Sequence, residues 1–183
     1  MFRLKKSDRI LDLGCGDGLN IQLLHSRGIT NIIGVDISSY MLKEARIRNP
    51  HVTLELASSN NLPFKDNYFD IVFVDSVFHQ LLHLFGSLAE IRRVLVRSGK
   101  LCFIEPHKSG FRKIFDIMTL SPIAFVIPAL LRRRESYLAE RDIMESWLKE
   151  KEEVFLSSLE QKGFHKDFCR YHLLSVIGQY RKL

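Results

Sequence analysis

The chain has 183 residues, of which 46% are hydrophobic and 26% charged, with a formal net charge of +6. That is enough apolar material for one domain with a buried core, and it excludes a disordered or low-complexity chain. A mildly basic balance permits contact with nucleic acid or anionic lipid without requiring either. The cysteines, Cys15, Cys102 and Cys169, are far apart and odd in number. They form neither a disulfide framework nor a metal-ligand spacing, which points to a reducing compartment.

The elements follow in chain order. "RILDLG" is a short apolar run that ends in glycine. Residues 18–27 read as a helix with Leu19, Leu23 and Leu24 near one face and Gly28 as its stop. "NIIGVDIS" repeats the strand form. A helix over 39–48 follows, with Ser38 as N-cap and Asn49-Pro50 as its end. "VTLELA" and "FDIVFVDS" are the next strands. Residues 80–96 place Leu81, Leu84, Leu88, Ile91 and Leu95 at helical spacing before Ser98-Gly99, and "KLCFIEP" is a fifth strand. A long helical region then runs to about Gln161, and "GFHKDFCRYHLLSVIGQY" reads as a hairpin that turns near Tyr171. Near-continuous apolar runs suit parallel strands covered on both faces, so the alternation predicts an α/β, doubly wound, mostly parallel sheet. The whole of 1–183 is expected to form one domain, with a helical insertion or cover at about 106–150.

"LDLGCGDG" sets Gly14, Gly16 and Gly18 directly after the first strand. In this fold, ligands bind outside the carboxyl ends of the strands, and glycine lets a ligand approach the backbone. The dinucleotide fingerprint G-x-G-x-x-G fails, because Leu19 stands where the last glycine is needed. Asp12 and Asp17 would repel a pyrophosphate and welcome a cation. S-adenosylmethionine is cationic and carries no phosphate. Asp36, at the end of "NIIGVD", is placed to accept hydrogen bonds from ribose hydroxyls.

The run "LDLGCGDG", "GVDIS", "NLPFKDNYFDIVF", "HQLLH" and "AEIRRVL", in that order, resembles the class I S-adenosylmethionine-dependent methyltransferases of the type 11 kind. The resemblance implies a seven-stranded sheet of order 3-2-1-4-5-7-6 with strand 7 antiparallel, and S-adenosylmethionine as cofactor. It implies that Asp12 and the turn Gly14, Cys15, Gly16, Gly18 hold the methionine part and Asp36 the ribose. Ile37 and Met41 would bound the adenine. Ser58, beside Ser59, stands where the family usually offers an aspartate to the adenine amino group. A hydroxyl there accepts without charge assistance. Asp75, after the fourth strand, completes the cofactor set. Family members usually carry an N-terminal helix over the cofactor. Here the first strand begins almost at once, so either a segment is missing or residues 106–150 supply the cover.

Methyl transfer from a sulfonium chiefly needs a positioned nucleophile, with a general base only if the acceptor loses a proton. Candidate bases at the strand ends are Asp75, Ser76, His79, Glu105 and His107. His79 is preferred for its neutral pKa range, against the bland alternative of a helix-terminal histidine without a catalytic role. His79 and His83 could share a helix face, but a third metal ligand is lacking and no metal is expected. The cysteine of a cytosine-C5 enzyme and the N/D-P-P-Y of an amino-methylating DNA enzyme are both missing after strand four. The expected activity is methylation of a small, even apolar, molecule. The alternatives are a non-catalytic cofactor-binding module or an RNA methyltransferase, although nucleic acid is not the expected partner. The stretch Ile117–Leu131 is interrupted by Pro122 and Pro128 and is too short to span a bilayer. With Arg132–Arg134 behind it, 111–134 could lie at an anionic membrane interface or form a homodimer contact. No apolar h-region precedes the first strand in "MFRLKKSDRILDLG", so no signal peptide and a cytoplasmic location are expected.

Overall fold

The computed structural model describes residues 2–121, 138 and 141–183. Seven strands form one sheet in the order β3-β2-β1-β4-β5-β7-β6. They are β1 Ile10–Leu13, β2 Ile32–Asp36, β3 Thr53–Leu56, β4 Phe69–Asp75, β5 Leu95–Pro106, β6 Phe164–Tyr171 and β7 Ser175–Lys182. The first five pair in parallel, and β7 runs antiparallel to both β5 and β6. Strand order, antiparallel closure and the turn between β6 and β7 match the expectation.

Alternation along β1 distributes its side chains to two cores. Leu11 and Leu13 join Val72, Val74, Leu101 and Phe103 in one apolar cluster. Ile10 joins Ile32, Ile71 and Cys102 in the other, under helices α1 (Leu19–His25) and α2 (Ser39–Arg48). Asp12 shares the second face and is buried there. Ser38 caps α2 as expected, its hydroxyl accepting the Met41 N–H at 3.3 Å.

Two helices depart from the sequence reading. In α1 the buried residue is Ile21, while Leu19 and Leu23 are exposed. A helix of seven residues has a narrow inward face, and of the three leucines only Leu24 packs partly against the same core as Ile21. The expected helix over 80–96 is three pieces: a short 3₁₀ turn at Phe78–Gln80, helix α3 at Leu84–Val94, and the start of β5 at Leu95. Ser98 and Gly99 lie inside β5 rather than ending a helix, with Ser98 at φ 62°. His79 and His83 therefore sit in different elements and share no helix face.

Helix α4 (Gly110–Leu120) buries Arg112, Asp116 and Thr119 and exposes Ile114 and Ile117. A π turn, Trp147–Lys151, leads into α5 (Glu152–Gln161). Trp147 is fully buried and donates from Nε1 to the Pro106 carbonyl at 2.9 Å. The middle of the expected cover, residues 122–137 with Arg132–Arg134, lies outside the described residues. Among the described residues, no helix is long and apolar enough to cross a membrane.

Candidate functional site

The carboxyl ends of β1, β2 and β4 and the segment after β3 surround a cleft of about 590 Å³. The glycine turn forms its base. Gly14 and Cys15 both donate to the Val35 carbonyl, at 2.8 and 2.9 Å, so the turn hangs from the end of β2. Gly14, Gly16 and Gly18 all have positive φ, at 74°, 52° and 78°, a region that side chains other than glycine enter at a cost. Their surroundings differ. A Cβ on Gly14 would meet Val77 at 2.3 Å, and one on Gly18 would meet Asn49 at 2.4 Å. A Cβ on Gly16 would meet nothing within 4 Å. Two of the glycines allow close packing; the third borders open space in the cleft.

Asp36 holds this geometry. Its Oδ2 accepts the Gly16 N–H at 2.9 Å and its Oδ1 accepts the Ser38 N–H at 2.8 Å. Each oxygen keeps a further lone pair. Asp75 lines the opposite wall, accepting from Asn20 Nδ2 at 3.2 Å and from the Ser76 hydroxyl at 2.9 Å. Sequence reasoning did not single out Asn20, because nothing local marks a helical asparagine that reaches a strand 55 residues away. Asp17 turns aside into an ion pair with Arg48 at 2.6 Å.

Asp12 lies behind the turn with 1% of its surface exposed, and its Oδ2 has no hydrogen-bond partner among the described residues. Burial, reinforced by Asp75 and Asp36, pushes its carboxyl up to about 7. A buried, unpaired carboxylate is costly unless a cation joins it. The Cys15 thiol is pushed up to about 12, mainly by burial, and so is no nucleophile.

Of the expected cofactor residues, Gly14, Gly16, Asp36, Ile37, Met41, Ser58, Ser59 and Asp75 line the cleft, whereas Asp12, Cys15 and Gly18 support it from behind. Ile37 is 76% exposed, so its side chain is available to a planar ligand face. The Ser59 and Ser87 hydroxyls are 2.7 Å apart. Gln80, Leu81, Leu82 and His83 also line the cleft and were not expected to. Gln80 ends the 3₁₀ turn, and the other three belong to the loop before α3 that the sequence reading absorbed into a helix. His79 does not line this cleft. It is buried at 2% exposure and lines a neighbouring cavity. Among the described residues no group of His, Cys, Asp or Glu has the arrangement of a metal site.

Residues 11–103, about half the chain, match the methyltransferase domain family. The ubiquinone/menaquinone biosynthesis C-methyltransferase UbiE of Campylobacter jejuni is 30% identical over 171 residues, covering 88% of this chain and 72% of that one. The demethylmenaquinone methyltransferase of Symbiobacterium thermophilum is 35% identical over 119 residues, 60% of this chain. That match spans 47% of the Symbiobacterium protein. In fold, a putative methyltransferase from Bacillus halodurans superposes with a TM-score of 0.70 at 17% identity, over 98% of this chain and 94% of that one. The glycine turn on β2, the paired acidic strand ends and this likeness agree: the chain belongs to the class I S-adenosylmethionine-dependent methyltransferases.

Proposed function

We propose that the chain binds S-adenosylmethionine in the cleft at the ends of β1–β4 and transfers its methyl group to a small apolar acceptor of the quinol kind. The observation that carries the cofactor reading is Asp12, a buried carboxylate whose Oδ2 lacks a partner, below a turn with free space at Gly16. An ammonium or sulfonium is the charge this pocket favours, and a pyrophosphate is the charge it repels. When bound, the cofactor supplies an already activated methyl group.

The residues bind and orient. The second lone pairs of Asp36 would accept from two ribose hydroxyls, while its first pairs hold the Gly16 and Ser38 N–H groups. Ile37 and Met41 offer apolar faces to the adenine, and Ser58 offers a hydroxyl to its edge. Asp75, held by Asn20 in the wall of β4, would supply a carboxylate to the cofactor's cationic end. The quinol acceptor rests on the names of the Campylobacter and Symbiobacterium relatives and on the apolar lip formed by Leu81 and Leu82.

Calorimetry tests the cofactor. S-adenosylmethionine should bind and NAD should not, and Asp36→Ala should weaken binding by roughly 1.5–3 kcal/mol, the scale of bonds to a charged acceptor. Gly16→Val should abolish binding while circular dichroism stays native. Binding of NAD without S-adenosylmethionine would refute the reading. A mass increase of one methyl group on reduced demethylmenaquinone tests the acceptor. Its absence, with cofactor binding intact, would remove the quinol and leave the methyltransferase.

A further inference from the structure

Three titratable side chains line the cleft: Asp36, Asp75 and His83. Both carboxylates are engaged. Asp36 holds the Gly16 and Ser38 N–H groups, and Asp75 accepts from Asn20 and from the Ser76 hydroxyl. The buried acid beside the cleft, Glu105 near the end of β5, is also committed, as an anchor for the loop after β4. Its Oε1 accepts the Val77 N–H at 2.8 Å and the Phe78 N–H at 2.7 Å. Its Oε2 accepts the His79 N–H at 3.4 Å and lies 2.8 Å from His79 Nδ1. His83 differs from all of these. It is exposed, it lines the cleft, and its imidazole has no hydrogen-bond or ionic partner among the described residues.

The backbone of His83 is held although its side chain is not. His83 is the N-cap of α3, and its carbonyl accepts the Ser87 N–H at 3.0 Å and the Ser87 hydroxyl at 3.2 Å. That hydroxyl lies 2.7 Å from the hydroxyl of Ser59, in the cleft-lining segment after β3. An N-cap position favours Ser, Thr, Asp or Asn, whose side-chain oxygen accepts from the first turn. The imidazole of His83 makes no such bond. The start of α3 thus carries a side chain that gives the helix nothing, on a backbone fixed at the lip of the cleft. Its neighbours on that lip are Leu81 and Leu82, the latter 91% exposed. An apolar lip with one unengaged imidazole suits an apolar acceptor that bears a weakly acidic hydroxyl, because a neutral imidazole has one nitrogen able to take a proton.

We propose that His83 is the catalytic base of the methyl transfer, taking the hydroxyl proton of an acceptor that enters the cleft over Leu81 and Leu82. The proposal rests on the methyl-transfer and quinol reading above. The hydroxyl proton goes to the unprotonated ring nitrogen of His83. The oxygen's electron pair drives the ring carbon ortho to it onto the methyl carbon, and the methyl–sulfur pair goes to sulfur. That ring carbon's own proton then passes to the oxygen through solvent, which restores the aromatic ring. His83, being exposed, returns its proton to solvent, and no further reactant is required.

Two substitutions separate fold from chemistry. His83→Asn supplies a preferred N-cap but no base. Its melting temperature should equal or exceed the parent's, while kcat for a short-chain demethylnaphthoquinol should fall about 10²–10⁴-fold, the usual worth of a general base. Calorimetry should show S-adenosylmethionine affinity unchanged. His83→Ala should lose as much turnover, and free imidazole should restore it in proportion to concentration, because the exposed lip admits a small base. A lowered melting temperature in His83→Asn would return the side chain to the fold and overturn the proposal, as would a loss in His83→Ala that imidazole does not restore. Parent and variants that methylate equally would remove His83 alone and leave the reading of the cleft standing. If the unaltered chain does not bind S-adenosylmethionine, the methyl-transfer reading fails and takes the base with it. If it binds the cofactor but leaves the naphthoquinol unmethylated, the quinol reading fails, and this role of His83 fails with that reading.

Discussion

At the scale of single residues, Asp12 couples the fold to the site. It ionises near 3.8 as a free side chain and at about 7 when buried. Between those values the folded chain keeps a proton that the unfolded chain has released. Its contribution to stability therefore falls as pH rises from about 4 to about 7 and is level above that. At 1.4 kcal/mol per tenfold, the loss is at most about 4 kcal/mol. Asp12→Asn should remove it, so thermal melts of the cofactor-free protein should show the variant gaining on the parent between acid and mildly alkaline buffer. Parallel pH curves for the two would place the dependence elsewhere. A bound cation favours the ionised carboxyl, so S-adenosylmethionine affinity should rise with pH up to about 7 and then level. Calorimetry in buffers of different ionisation enthalpy should register proton release on binding near pH 6, and Asp12→Asn should not release it. The residues of this coupling were legible in the sequence, because a glycine turn and two strand-end aspartates are local signals. Glu105 was legible only as one candidate base among several. Its role as an anchor depends on donors 26 to 28 residues earlier in the chain, which no local pattern connects to it.

At the scale of elements, the loop before β4 is held by α3 through two side chains, Arg93 and Glu90. Arg93 Nη1 and Nη2 donate to the Phe64 and Leu62 carbonyls at 2.7 and 2.9 Å. Its guanidinium also pairs with Glu90 and Asp66, and Glu90 in turn accepts the Leu62 N–H at 2.8 Å. This network explains why "NLPFKDNYFDIVF" and "AEIRRVL" occur together: the second sequence fastens the first. Arg93→Ala would leave two carbonyls and a half-buried glutamate short of a donor, at a cost of roughly 2–3 kcal/mol. Urea denaturation should show that loss, and limited proteolysis should open the chain first between residues 60 and 67. Resistance equal to the parent's would show that the loop holds by its own packing. Element boundaries were less legible than the network. Leu81 continues the helical spacing of Leu84, Leu88 and Ile91, yet the preceding turn ends at Gln80 and α3 begins only at Leu84. The loop between them lines the cleft, so the error fell on residues with a functional position. Periodicity reports which residues are apolar, not whether their backbone is helical. Leu95 continues the same spacing as the first residue of a strand.

At the scale of the whole molecule, the family match ends at residue 103, while the sheet does not. The antiparallel pairing of β7 with β5 closes what would otherwise be an open edge beside the strand that carries Glu105. An unpaired β5 would present a row of free backbone groups and an apolar face. The closure is tight at one point. Gly178 pairs with Phe103, and a Cβ on Gly178 would lie 2.3 Å from the Phe103 ring. That ring cannot retreat easily, because Phe78, Phe155 and Tyr180 surround it at centroid distances of 6.1, 4.9 and 5.9 Å. Gly178→Ala should therefore destabilise by roughly 1–3 kcal/mol, the usual cost of overpacking a core. That is the opposite sign from the gain expected when alanine replaces a strand glycine with room to spare. The effect should also reach the site, since Phe78 borders both Phe103 and the loop held by Glu105. Thermal melts should show the loss, and the His79 nitrogen resonances should shift although the substitution lies in β7. An unchanged melting temperature would mean that the aromatic cluster yields at little cost. A lowered one with unmoved histidine resonances would confine the strain to the hairpin.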